Sequence, residues 1–186
     1  MRIVLIDCEN LTGRHQLAAG FRWRGFERIE IFGRAADLAR WRRALAGWGC
    51  VPAVETVIAD DAPPQAADQA IGRRVDALLV DRPDLVVISS NDGDFDPDIA
   101  RLVAAGIPAS RAGDPGPAAL LALVVADLAV DGWADAGPVG ERLARDFAVS
   151  LKGRLPALAA KAGVAMTRGA TGRVQLAQLR TYFRKP

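Results

Sequence analysis

What most limits the architecture of this chain is a series of short apolar runs, rich in β-branched residues, that alternate with longer stretches of helical periodicity. The runs fall at residues 2–6, 28–32, 54–58, 85–89 and 107–110, with a sixth candidate at 127–130. Ile3-Val4-Leu5-Ile6 and Leu85-Val86-Val87-Ile88 are continuous rather than alternating, the pattern of strands buried on both faces of a parallel sheet. Helical patterns occupy residues 11–21, 35–47, 66–79, 97–105 and 117–125. A parallel pair needs a crossover, and a helix between successive strands supplies one. The alternation therefore predicts an α/β fold, a doubly wound parallel sheet with helices on both faces.

Local chemistry agrees with these bounds. Gly106 stands where a C-terminal glycine ends a helix, and Pro117 where a first-turn proline is tolerated. Gly113-Asp114-Pro115-Gly116 reads as a turn, and Gly132, Gly137 and Pro138 interrupt the periodicity over 131–139. The expected division is a first domain over 1–133 and a small helical segment over 134–186, with helices at 140–152, 156–163 and 174–183 and a loop at 169–172.

The net charge of +2 conceals an asymmetry: residues 135–186 hold ten Lys/Arg against three Asp/Glu, and residues 1–134 hold fourteen against nineteen. Carboxylate chemistry is expected in the first part and anion contact or a solvated basic surface in the second. Cys8 and Cys50 are too few for a disulfide framework and lack metal-ligand spacing, which indicates a reducing, cytoplasmic setting without structural zinc. The N-terminus lacks the pattern of a signal peptide, and the most apolar stretch, 118–130, is broken by Asp127 and too short for a bilayer. No membrane association is expected.

Acidic residues cluster where such a sheet binds ligands, beyond the carboxyl ends of the strands. Asp7 closes the first strand; Asp92 and Asp94 follow the fourth in Ser90-Asn91-Asp92-Gly93-Asp94-Phe95. Converging carboxylates repel unless a cation neutralises them or one stays protonated. A hard divalent ion such as magnesium takes oxygen ligands and leaves room for a phosphate, and its bound water can attack phosphorus. Asn10, three residues after Asp7, is placed to hold a phosphate or a water. Asp96 and Asp98, flanking Pro97, read as helix caps instead. Arginines 22, 24, 28, 34, 40, 42 and 43, with Trp23, Trp41 and Trp48, read either as an RNA-binding surface or as a solvated helix face over core tryptophans. Trp41, at helical spacing from Leu38 and Leu45, favours the latter. The lone His15 lacks a visible partner, and no phosphate-binding glycine motif is present.

Three blocks in order, Ile6-Asp7-Cys8-Glu9-Asn10, then Ala66-Ala67-Asp68 with Val75-Asp76-Ala77-Leu78, then Ser90-Asn91-Asp92-Gly93-Asp94-Phe95-Asp96-Pro97, resemble the NYN domain family of PIN-like ribonucleases (LabA-like, DUF88). The resemblance covers about residues 1–133. It implies a Rossmann-like PIN fold and an endoribonuclease dependent on Mg2+ or Mn2+, with RNA as partner. Carried over by position, Asp7, Asp68, Asp92 and Asp94 would be the catalytic, metal-coordinating acids. Asn10 and Asn91 would contact substrate. Asp76 also matches, but eight residues from Asp68 turn it by about 80° round a helix. Where family members carry a lysine before the helix aspartate, this chain has Pro64-Gln65-Ala66-Ala67-Asp68, so Arg73 or Arg74 would have to supply the cation. That departure also supports an alternative, an RNA-binding or regulatory protein with a degenerate site. A phosphatase of another Rossmann-type fold is a third reading, disfavoured because Glu9 stands where the second aspartate of an Asp-x-Asp pair is wanted.

Residues 172–185 look like part of the OST-HTH/LOTUS winged-helix module, which would bind RNA. A plain helical bundle packed on the first domain, or on a second subunit in a homo-oligomer, explains the same pattern.

Overall fold

The computed structural model describes residues 1–11, 18, 22–169 and 172–178. Most of the expected helix at 11–21, and His15 with it, lies outside the described residues. The chain divides into two compact units, Met1–Asp114 and Pro115–Pro186.

The first unit is a Rossmann-like, doubly wound α/β fold. Strands β1 (Arg2–Asp7), β2 (Arg28–Arg34), β3 (Val54–Ile58), β4 (Leu85–Ser89) and β5 (Ala109–Arg111) form one sheet in the order β3-β2-β1-β4-β5. Every pairing is parallel. Helices α1 (Ala35–Ala46), α2 (Ala66–Asp81) and α3 (Asp96–Ala104) connect them. Because β1 is central, its side chains are buried on both faces, as a continuous apolar run requires. Ile3 and Leu5 join the core under α2 and α3 with Phe32, Ile71, Leu78, Ile88 and Leu102. Val4 and Ile6 point the other way, into a core with Ile31, Leu38, Trp41 and Leu45 of β2 and α1. Trp41 is fully buried, so it belongs to the core and not to a stacking surface.

Strand order places the functional edge. The chain runs outward from β1 to β2 and β3, then returns to lay β4 on the opposite side of β1 and β5 beyond it. The direction of winding reverses between β1 and β4, and a crevice opens at such a switch point beyond the carboxyl ends of the two strands.

The second unit begins upstream of the glycine- and proline-rich break at 131–139. Helix α4 (Pro117–Leu128) buries Leu120, Leu121, Val124 and Val125 and packs with α5 (Ala136–Phe147) and α6 (Leu155–Ala162). Its apolar face is covered by these helices. The expected sixth strand at 127–130 is not one: Asp127 and Leu128 end α4, and Val130 makes only an isolated bridge to Trp133.

The expected all-helical segment is also corrected. Strands β6 (Ala134–Asp135), β7 (Val164–Arg168) and β8 (Val174–Gln178) form a three-stranded antiparallel sheet in the order β6-β8-β7. Val174–Gln178 was expected to open a helix, but Leu176 is fully buried opposite Met166 and Ala134. Pairing on both edges outweighs the weak local preference of this short run. Residues 179–183 of the same expected helix lie outside the described residues.

Among the described residues, no helix is long and apolar enough to cross a membrane.

Candidate functional site

At the switch point, the site is built from the end of β1 outward. Asp7 is the last residue of β1 and is fully buried. A buried carboxylate needs donors. Its Oδ1 accepts from the Glu9 N–H at 3.2 Å and its Oδ2 from the Ser90 hydroxyl at 2.7 Å. The Ser90 oxygen in turn accepts the Asp92 N–H at 3.0 Å, and Asp92 Oδ1 accepts the Asp94 N–H at 2.9 Å. Asp94 lies in a short 3-10 turn, Gly93–Phe95, capped by Asp92. Ser90 therefore couples the first acidic block to the third, and it does so because β1 and β4 are neighbours with Ile6 opposite Ser89.

Asp68 enters from the first turn of α2. Its carboxyl is pushed up to about 6 by partial burial and then by the negative charges of Asp7, Asp92, Asp94 and Glu9. These groups lie close enough to act on one another electrostatically. Among the described residues, however, no three Asp, Glu, His or Cys side chains stand close enough together to hold a metal ion. Asp7 is locked by its donors, whereas Asp94 is exposed.

The Asp68 shift has a sign that can be tested. An unfolded chain loses this proton near the ordinary aspartate value, the folded chain near 6. Folding is therefore penalised increasingly as pH rises from about 4 to 6, and by the full amount above that. Asp68→Asn is expected to stabilise the protein by about 1 kcal/mol at pH 8, after allowance for solvent screening. The gain should vanish at pH 4. Thermal melts of both proteins at the two pH values, without divalent ions, check this.

The remaining expected site residues divide. Asn10 is exposed, and its carbonyl accepts from Asn91 Nδ2 at 2.9 Å. The Asn91 amide is engaged in bracing loops: Nδ2 also donates to Asp114 Oδ2 at 3.1 Å, and Oδ1 accepts the Asp114 N–H at 2.8 Å. Arg111 adds a bond to the Asn91 carbonyl and an ion pair with Asp96. Arg73 is exposed on α2. Arg74 instead grips Glu30 near the start of β2, with Nε 2.9 Å from Oε2, and also meets Asp81. Asp76 pairs with Arg101, as does Asp98. None of Arg74, Asp76 and Asp98 joins the acidic edge by any of these contacts. Cys8 is buried, and that burial holds its thiol far above the ordinary range, so it is inert as a nucleophile.

Sequence reasoning missed the linking role of Ser90. Its signal was position alone, a hydroxyl directly after a buried strand that ends level with Asp7's strand. It also missed the pairing of Glu9 with Arg34 at 3.2 Å, which sets a cation of β2 beside the edge.

Gly113 permits the loop closure. A Cβ there would stand 2.8 Å from Asn91 Oδ1, displacing the amide from its bonds. Gly113→Ala is expected to cost about 1–2 kcal/mol through the lost hydrogen bonds, read as a lower urea midpoint.

No family model matches the chain. No curated protein sequence matches it. The solved structure of a protein of unknown function from Vibrio parahaemolyticus is similar over 60% of this chain and 80% of its own, at 16% identity and a TM-score of 0.44.

Proposed function

We propose that the first unit is a divalent-metal-dependent endoribonuclease whose site is Asp7, Asp68, Asp92 and Asp94. The observation that carries this reading is the fully buried Asp7 at the switch point, linked through Ser90 to Asp92 and felt electrostatically by Asp68. Carboxylates gathered without a neutralising partner are costly, and the Asp68 carboxyl, raised first by burial and then by these charges, registers part of that cost. The donor set is all oxygen, which suits Mg2+ or Mn2+.

Asp7 and Asp92 would hold the ion from the strand ends, with Asp68 and Asp94 joining by side-chain rotation at the surface. Such an ion supplies a nucleophilic water and charge stabilisation on the scissile phosphate. The protein's own groups keep Asp7 aimed by two donors, hold Asp92 at the mouth through Ser90, and brace the flanking loops through Asn91. Asn10, at the mouth, would orient the substrate. That the phosphodiester belongs to RNA rests on the likeness of the three sequence blocks to NYN domains.

A second reading, an RNA-binding protein that does not cut, is favoured by one observation. Arg74, a candidate for the missing lysine's role, is engaged with Glu30.

Incubating a mixed RNA pool with Mn2+ separates the two. Cleavage that EDTA stops, and that Asp92→Asn removes, supports the enzyme. RNA retention without cleavage under Mg2+ or Mn2+ supports the second reading, and equal cleavage by both proteins overturns the site.

A further inference from the structure

The parallel sheet of the first unit ends in two edges that are chemically unlike. β5 is three residues long and closes with Arg111, whose guanidinium is tied to Asp96 and to the Asn91 carbonyl. A short strand with a charge on it is a poor template for another chain. β3 has none of these protections. It runs Val54-Glu55-Thr56-Val57-Ile58, β-branched at every position but one, and contains no proline, glycine or lysine. Its register against β2 passes without a bulge, and among the described residues β2 is its only strand neighbour. The outer side of β3 therefore presents strand backbone with no ladder to join.

Side-chain alternation sorts this strand into two faces. Ile58 joins the core under α2, and Val54 and Thr56 share its side. Glu55 and Val57 lie on the α1 side, where Arg42 of α1 pairs with Glu55. Val57 is nonetheless 64% exposed. Its partner in β2 is Gly33, which offers no side chain to cover it.

We propose that β3 is a dimerisation edge, on which a second copy of this chain pairs antiparallel about a two-fold axis at Thr56 and joins the two five-stranded sheets into one. In that register the strand complements itself. Val54 stands opposite the partner's Ile58, Glu55 opposite the partner's Val57, and Thr56 opposite the partner's Thr56. No carboxylate faces another directly, Glu55 keeps Arg42 as its counter-ion, and Val57 gains the cover that Gly33 withholds. In-register parallel pairing would instead set the two Glu55 side chains directly opposite, which like charges disfavour. Pairing β3 with β5 of the next copy would not close and would build filaments. The short, charged β5 edge opposes that, so the closed dimer is the arrangement both edges allow.

The test uses the full chain in EDTA, so that the outcome is independent of the carboxylate site, and reads mass by sedimentation equilibrium. The wild type is expected at twice the chain mass at about 100 µM. Val57→Glu should weaken the dimer by about tenfold, because it sets a carboxylate opposite the partner's Glu55 at two symmetry-related places. Val57→Lys meets the same glutamate with the opposite charge and should keep the dimer, a split that a folding defect would not produce. A cross-link tests the register separately. In a Cys50→Ser background, Thr56→Cys should form a covalent dimer on mild oxidation, since its Cα would lie about 5 Å from its counterpart across the axis. Val51→Cys should not, because its counterpart would be roughly 30 Å away along the pair. A monomeric wild type at that concentration, equal effects of the Glu and Lys substitutions, failure of Thr56→Cys to cross-link, or assemblies that keep growing with concentration would each overturn the proposal.

Discussion

Asp7→Asn is expected to lower manganese-stimulated RNA cleavage by about 10³-fold, the scale at which loss of one charge-stabilising group in a water-poor site reduces turnover. Asp7 is the buried member of the acidic edge, and among the described residues its carboxylate accepts from the Glu9 N–H and the Ser90 hydroxyl and from no cationic side chain. Asparagine keeps the shape. Its carbonyl oxygen can accept from Glu9, and its amide can donate to the Ser90 oxygen. Stability should change by no more than about 1 kcal/mol. A second readout separates loss of metal from loss of fold: Mn2+ should raise the melting temperature of the wild type by linkage and leave that of Asp7→Asn unmoved. Equal thermal stabilisation of both proteins would place the ion elsewhere.

Arg74→Ala is expected to cost about 2–4 kcal/mol of stability. Glu30 is a charged residue in β2 with 1% of its surface exposed, and Arg74 provides contacts to both its oxygens. Arg28 remains as a partner through one nitrogen. Removing Arg74 leaves a buried carboxylate underpaired, which costs more than the pair itself contributes. Urea titration should show a lower midpoint at unchanged slope. Replacing the pair together, Glu30→Met with Arg74→Leu, should recover most of the loss. If Arg74→Ala were fully stable and deficient only in RNA cleavage, the arginine would be a substrate ligand after all.

These two residues show how differently sequence and space inform a site. Asp7 was identifiable from its place at the end of a buried run, because a parallel strand that central must deliver its last residue to the carboxyl edge. Arg74 was a reasonable substitute for a missing lysine by offset along α2, yet it pairs near the start of β2. Helical spacing fixes which way a side chain points around its axis, but not which buried charge it will find there. Asn91 is similar: its place in the acidic block suggested substrate contact, while its amide holds Asn10 and Asp114. The strand at 174–178 was missed because five residues carry too little periodicity to distinguish strand from helix, and its partner strand lay six residues upstream across a turn.

Sequence alone determined the alternation of strands and helices in the first unit, the two-faced burial of β1 and β4, and the positions of Asp7 at the end of one strand and of Asp92 and Asp94 just past another. These follow from local hydrophobic patterning and turn chemistry, which act over a few residues. Tertiary structure decided the strand order, and with it the switch point between β1 and β4. It also decided the Ser90 bond to Asp7, the raised Asp68 carboxyl, the capture of Arg74 by Glu30 and the three-stranded sheet of the second unit. Each of these depends on groups that are distant along the chain and meet only when burial and pairing have chosen their neighbours.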